Sequence, residues 1–331
     1  MPADSCQSSA RVVAKKDERV FSMQLGKFSK TSRILYRDRI LYLMVLPAFL
    51  LTFLFHYCPL FGWVIAFKNY TPGLSMFKAP GAGLSHFKTF FVDSTDYLYV
   101  FKNTLSINFT SLIVGIGSAF LLAILLREIR FFWFARTIQS VTFVPYFISW
   151  VITYAIIYAL FSVQTGAVNV TLLKMGLIDQ GLNVMGETQY AWGLIVGMNV
   201  WRYIGYNSVI FISAAAGIAE ELYEAAEIDG ANRLGKVWHI TIPSLVPTLV
   251  VLLVINTGWL LNSNFEQFYL FTNPTNMEKM EVFDMYIYKY GFQLMNYSYA
   301  TAVGVIRTVV SLSLIVFVNW TSKRLSGKSI F

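Results

Sequence analysis

The sequence predicts an all-α integral membrane protein with six transmembrane helices and both termini on the cytoplasmic side. Three observations lead there. Only 13% of the 331 residues are charged, while 56% are hydrophobic and 17% aromatic; soluble domains carry about 25% charged residues. The mean hydropathy is +0.55. Six stretches approach or exceed the roughly 20 apolar residues that cross a bilayer core, and Lys and Arg gather in the tails and connections beside them.

The first stretch, Ile40–Phe67, follows a polar basic tail over residues 1–39 that holds Lys15, Lys16, Lys27, Lys30, Arg33, Arg37 and Arg39. No apolar core lies near Met1, so the sequence predicts an uncleaved anchor rather than a signal peptide. The others are Leu105–Leu126, Ile138–Phe161, Ala191–Ile218, Pro247–Leu261 and Ala300–Val318, with a polar tail over 321–331. Pro247–Leu261 is short and reaches full length only with Leu245 and Val246. With the N-terminus inside, the cytoplasmic segments hold 17 Lys and Arg and the external loops hold 7, with Arg202 and Arg307 inside spans. That excess sets the orientation. In the external loop 162–190, Val168, Leu172, Leu173 and Leu177 recur at helical spacing, which predicts a short helix lying on the bundle.

Several function classes fall away on composition. The net charge of +8 sits at span ends, not on a soluble basic face with stacking aromatics, which excludes a nucleic-acid partner. Cys6, Cys58 and three scattered histidines form no metal-ligand spacing. No HExxH pattern or nucleophile–base pair marks a hydrolase. Gly327-Lys328-Ser329 mimics the end of a phosphate-binding loop, but Ser322 stands where the first glycine is needed. An ion-gradient-driven secondary transporter is the alternative function; it favours intramembrane carboxylates, and no Asp or Glu lies well inside the six stretches.

The connection over 219–243 carries the most information. Leu222, Ala225 and Ala226 fall at i, i+3 and i+4 and make a narrow apolar stripe, while Glu220, Glu224 and Glu227 share a wet face. Gly230 suits a left-handed helix end. Asn232 suits the cap of a second helix through Trp238, and Pro243 and Pro247 mark the start of the next span. Paired alanines allow a partner to approach closely, and Leu222 would anchor it with roughly 1.5–3 kcal/mol if buried. The plain alternative is an interfacial loop with glutamates in water.

The run Glu224-Ala-Ala-Glu-Ile-Asp-Gly-Ala231, followed by Ile240-Thr-Ile-Pro243, closely resembles the EAA motif of ABC importer permeases. Tyr42–Thr71, with Phe55-His-Tyr57 and Ile65-Ala-Phe67, is similar to the first span of the carbohydrate permeases of the polysaccharide type. Pro145-Tyr-Phe-Ile-Ser-Trp-Val151, Asn264-Phe-Glu-Gln-Phe268, Asn273-Pro274 and Tyr297-Ser-Tyr-Ala300 extend the resemblance, which covers Arg39 to Arg324. Ile240 stands where the family often has Leu. The resemblance implies a type I importer permease domain over residues 40–320. Its partners would be a second homologous permease, two ATP-binding subunits, an extracytoplasmic solute-binding protein and a carbohydrate substrate, in a bacterial inner membrane. ATP and Mg would be bound by the ATPase, and no cofactor by this chain. It implies that Leu222, Tyr223, Glu224, Ala225, Ala226, Asp229 and Gly230 form the ATPase-coupling element. An alginate-type uronate oligosaccharide is one substrate the resemblance implies.

Polar groups inside spans are the remaining candidates. A centrally placed arginine costs roughly 2.5–3.5 kcal/mol on insertion scales, so it faces a cavity or a partner. Asn199, Arg202 and Tyr206 share one helical face, near Asn207, and with Asn256 and Arg307 they are candidates for the substrate path. The alternative is that they tie spans to each other. Asn262, Asn264 and Glu266 are candidates for contact with the external binding protein.

Overall fold

The computed structural model describes residues 38–326, which divide into two compact units between Trp63 and Val64. Both tail readings over 1–37 and 327–331, Gly327-Lys328-Ser329 included, lie outside the described residues. The first unit contributes most of α1 (Arg39–Phe67), which is α-helical to Thr52, makes a π turn over Phe53–Tyr57 and winds on as 3-10 turns. Pro47 and Pro59 each lack a helix N–H, and the π turn falls between them.

In the second unit, an isolated antiparallel bridge joins Lys68 to Gly81 before the long helix α2 (Asp96–Glu128). Next come α3 (Phe132–Phe143), α4 (Trp150–Phe161), α5 (Ala167–Lys174) and α6 (Ala191–Ala216). They are followed by α7 (Glu220–Ile228), α8 (Arg233–Thr257), α9 (Phe265–Phe271), α10 (Phe283–Tyr288) and α11 (Tyr297–Ser326). The only pairing of strand type among the described residues is that one bridge.

Packing centres on α2 against α6. Ile116, Ala119 and Ala123 of α2 meet Phe211 of α6. Beyond them Ile124 and Ala215 close on Val237 and Leu245 of α8. At the opposite end Ile107, Ile195 and Met198 gather with Trp150, Phe268 and Met280. Helices gain little by hiding apolar surface from lipid, so small residues that permit close backbone approach do this work. A further cluster joins Phe90, Val100, Phe283, Tyr286, Tyr299 and Val303. Its hydroxyls are satisfied internally: Tyr286 donates to Asp96 at 2.8 Å and lies 2.8 Å from the Tyr299 hydroxyl. Tyr99 donates to the buried Glu281 at 2.7 Å, and Lys289 pairs with Glu281 at 3.0 Å.

Four described helices are long and apolar enough to cross a membrane: α1, α2, α8 and Tyr297–Trp320 of α11; a bent pair makes up to five. The third expected span, Ile138–Phe161, falls within that pair. Phe132–Phe147 and Trp150–Phe161 meet at 109°. Pro145 sits in a 3-10 turn over Val144–Phe147, Ile148 is extended, and the Ser149 hydroxyl caps α4 by accepting from Ile152 N at 3.3 Å. The chain therefore stops one helix and starts another. The fourth expected span is the 26-residue α6, whose apolar run is diluted by Asn199, Arg202 and Asn207, and it falls outside the four. The fifth begins earlier than expected: the helix capped by Asn232 does not stop at Trp238 but runs through a π turn over Val237–Thr241 into Pro243 and Pro247. The expected helix in the 162–190 loop is α5, fastened by the buried Asn169 to the carbonyls of Phe161, Ser162 and Leu182.

Gly205 sets the spacing of α3 and α6. A Cβ added there would lie 2.2 Å from the Thr142 carbonyl oxygen and 2.3 Å from its carbon. Backbone cannot yield as a side chain can. Gly205→Ala is expected to lower stability by about 1–3 kcal/mol, measured as a lower midpoint of thermal unfolding in detergent, with an unchanged midpoint contradicting this packing.

Candidate functional site

Two features stand out, an elbow at one end of the second unit and an amide-lined cavity inside it. At the elbow, Glu220 and Glu221 occupy the first turn of α7, where carboxylates suit the helix dipole. The helix ends in a paired-bond turn: Gly230 N donates to Glu227 O at 3.0 Å and Ala231 N to Ala226 O at 2.8 Å. Gly230 sits at φ +78°, as this turn demands. The Asn232 side chain then caps α8 by accepting from Gly235 N at 2.7 Å.

The elbow has a held side and an open side. Tyr223 faces the bundle: its hydroxyl lies 2.9 Å from Thr241 Oγ1, and Arg127 Cζ of α2 stands 4.5 Å from its ring centroid. The same arginine donates to the carbonyl of Ala215 near the end of α6. Glu227 and Lys236 pair at 2.7 Å across the turn. That bond and the ammonium charge hold the Glu227 carboxyl below its ordinary range, so the link persists at neutral pH and loosens only as acid protonates the carboxylate. On the open side Leu222, Glu224, Ala225 and Asp229 are exposed, Ala226 is half-buried, and Ile228 is 87% exposed. Leu234 and Trp238 of α8 are exposed as well. Apolar side chains clustered in the open at a stiff turn mark a surface built to be covered.

The cavity measures about 390 Å³ between α2, α6, the end of α8 and α9. Seven side-chain amides line its wall: Asn108, Asn199, Asn207, Asn256, Asn262, Asn264 and Gln267. Tyr146, Tyr203, Tyr206 and Trp259 add aromatic faces, and no charged residue lines it. Neighbouring groups hold the amides in place. Asn108 donates to Leu260 O at 2.7 Å and to Ser263 Oγ at 3.1 Å; Asn256 donates to Leu252 O at 2.8 Å. Asn199 reaches Ser111 Oγ at 3.4 Å, and Asn264 caps α9 by accepting from Gln267 N at 3.2 Å. The rings of Tyr146 and Tyr206 stack 4.2 Å apart at 8°. Amides donate and accept together, and flat rings stack on C–H faces, so the wall matches a ligand rich in hydroxyls.

Of the five path candidates, Asn199, Tyr206 and Asn256 line this cavity. Arg202 does not. Its Cζ lies 4.5 Å from the Trp150 ring centroid, and its Nε and Nη1 are buried without a hydrogen-bond partner. Arg307 is also outside, donating to Asp284 of α10. Asp284 in turn accepts from Ser263 N at 2.9 Å, beside the cavity mouth. Of the three binding-protein candidates, Asn262 and Asn264 line the cavity while Glu266 stands exposed on the first turn of α9.

Sequence reasoning passed over Asn108, Ser111, Tyr146 and Gln267 in the wall, and Arg127 at the elbow. A polar and small stripe was there to find: Asn108, Ser111 and Gly115 lie at i, i+3 and i+7 on α2. Arg127 carried no comparable signal, because its partners Ala215 and Tyr223 lie far along the chain.

The family model described as "Binding-protein-dependent transport system inner membrane component" matches residues 115–327. Protein LplB of Bacillus subtilis (strain 168) is 36% identical over 92% of this chain and 95% of its own. The polygalacturonan/rhamnogalacturonan transport system permease protein YteP of the same organism is 35% identical, over 92% and 95%. A chain in the crystal structure of a bacterial alginate ABC transporter, in complex with an alginate pentasaccharide-bound periplasmic protein, superposes with a TM-score of 0.81. It shares 33% identity, covering 90% of this chain and 99% of that one. The chain therefore belongs to the family of binding-protein-dependent transport system inner membrane components: it is a multi-pass ABC permease, not an enzyme, in a family whose nucleotide site lies on a separate ATPase.

Proposed function

We propose that this chain forms half of the translocation path of an ATP-driven oligosaccharide importer, with six spans, both termini cytoplasmic, and the α7–α8 elbow seated on the ATPase. One observation carries the reading. The elbow is fastened to α2, α6 and α8 through Arg127, Tyr223 and Thr241, while Leu222, Ala225 and Ile228 stand open beside it. A stiffly held lever passes a partner's displacement into the helices it grips. Tyr223 belongs to the grip, and Leu222, Glu224, Ala225, Asp229 and Gly230 to the seat. Nucleotide and sugar then act by shifting the populations of inward-open and outward-open states.

The cavity is this chain's share of the path, and a second homologous permease would close its open side. Its amides and aromatics support a sugar substrate. The names of YteP and of the alginate transporter support a uronate oligosaccharide. Arg202 has no carboxylate partner among the described residues and adjoins the cavity residue Tyr203 in the chain, so it is the cation left for a substrate carboxylate once the path opens; Arg307 is already neutralised by Asp284. Asn262, Asn264 and Glu266 would meet the external binding protein when it delivers its load.

Gly230→Val is expected to leave insertion intact and to lower uptake per ATP hydrolysed by about tenfold, because a side chain at positive φ costs about 1–2 kcal/mol and skews the elbow. Reconstituted vesicles that measure both rates provide the check, and unchanged uptake per ATP contradicts the coupling role. Arg202→Met is expected to hold stability within about 1.5 kcal/mol, since an apolar replacement relieves buried unpaired nitrogens, yet to depress uptake of uronate oligosaccharides more than neutral ones of equal length. Failure of the variant complex to assemble, or equal loss for both sugars, makes Arg202 a packing residue.

A further inference from the structure

We propose that a second cavity, between α2, α3 and α6 beside the elbow, binds the headgroup of an anionic phospholipid. It measures about 380 Å³, and its polar atoms come from Arg127, Arg136 and Gln139 on an otherwise apolar wall that includes Leu126, Phe132 and Ile212. The same space thus offers cations at its rim and hydrocarbon beneath, the pattern of an acidic lipid rather than of a sugar or free ion. The charge is not spent internally. Arg136 is exposed, its Cζ lies 5.9 Å from the Phe132 ring centroid, and neither it nor the exposed Arg130 has a carboxylate partner among the described residues. Glu128, half-buried, is the only acidic residue between Asp96 and Asp179. Beside the cavity Phe131, Phe132, Trp133 and Phe134 are all more than half exposed. Consecutive exposed aromatics next to arginines place this end of α3 at the level of lipid headgroups, where basic pockets between helices take acidic lipids.

Arg127 links this site to the elbow. It lines the cavity, donates to Ala215 O and lies over Tyr223, so a bound phosphate would hold the arginine that holds α7. This link, unlike the lipid site itself, rests on the proposed coupling role.

The complete transporter, purified with its partner subunits, is titrated with phosphatidylglycerol, phosphatidylcholine or inorganic phosphate and read by native mass spectrometry. Phosphatidylglycerol is retained over phosphatidylcholine; Arg136→Ala lowers that preference about fivefold, and Arg136→Lys keeps it. Equal retention of the two lipids, an Arg136→Ala preference equal to the parent's, or displacement by millimolar inorganic phosphate overturns the site. Uptake per ATP is expected to be higher in phosphatidylglycerol vesicles than in phosphatidylcholine vesicles. Identical values overturn the link to α7 while retained lipid selectivity upholds the site, and lost selectivity sinks the site whether or not the elbow couples to the ATPase.

Discussion

Arg127 is the interaction on which the elbow depends. One guanidinium reaches the Ala215 carbonyl at the end of α6, which also accepts from Ile218 N, and covers the ring of Tyr223 on α7. A cation suits that helix end twice, by hydrogen bond and by dipole. The Tyr223 hydroxyl then meets Thr241 in the π turn of α8, so three spans and the connecting helix share one small group of contacts. α7 is nine residues long and would be marginal alone; the grip gives it a fixed place.

The second constraint is that an apolar surrounding supplies no hydrogen bonds, so polar groups must find partners within the protein. Asp284 and Arg307 show it directly, with Ser263 N using the other carboxylate oxygen. Through Ser263 and Asn108 that ion pair also sets the edge of the amide cavity. Of the cavity amides, Asn108, Asn256, Asn264 and Gln267 each bond a backbone group, and Asn199 bonds the Ser111 hydroxyl. Arg202 departs from the rule, and a departure of that kind is where function is expected.

Local features were legible and distant ones were not. The Gly230 turn and the Asn232 cap follow from residues within a few positions of each other, and both stand as the sequence predicts. Asn199, Tyr206 and Asn256 were found because a polar side chain in an apolar run is conspicuous. The bend at Ser149 was missed because Pro145 inside an apolar run also occurs in continuous kinked helices; the extended Ile148 and the Ser149 cap decide it. Arg307 looked free because Asp284 lies 23 residues away in a connection, and no periodicity links the two. The π turn that carries α8 through Pro243 likewise has no mark in the hydrophobic pattern.

The elbow's role is tested most directly by a cysteine-specific crosslinker placed at position 228, where Ile228 is 87% exposed on the open side. The experiment uses the Ile228→Cys variant in reconstituted complex that is importing its sugar. The predicted result is an adduct to the ATPase subunit that forms during turnover and halts uptake. Vesicles that keep importing, with the introduced thiol fully modified and no ATPase adduct, would contradict it.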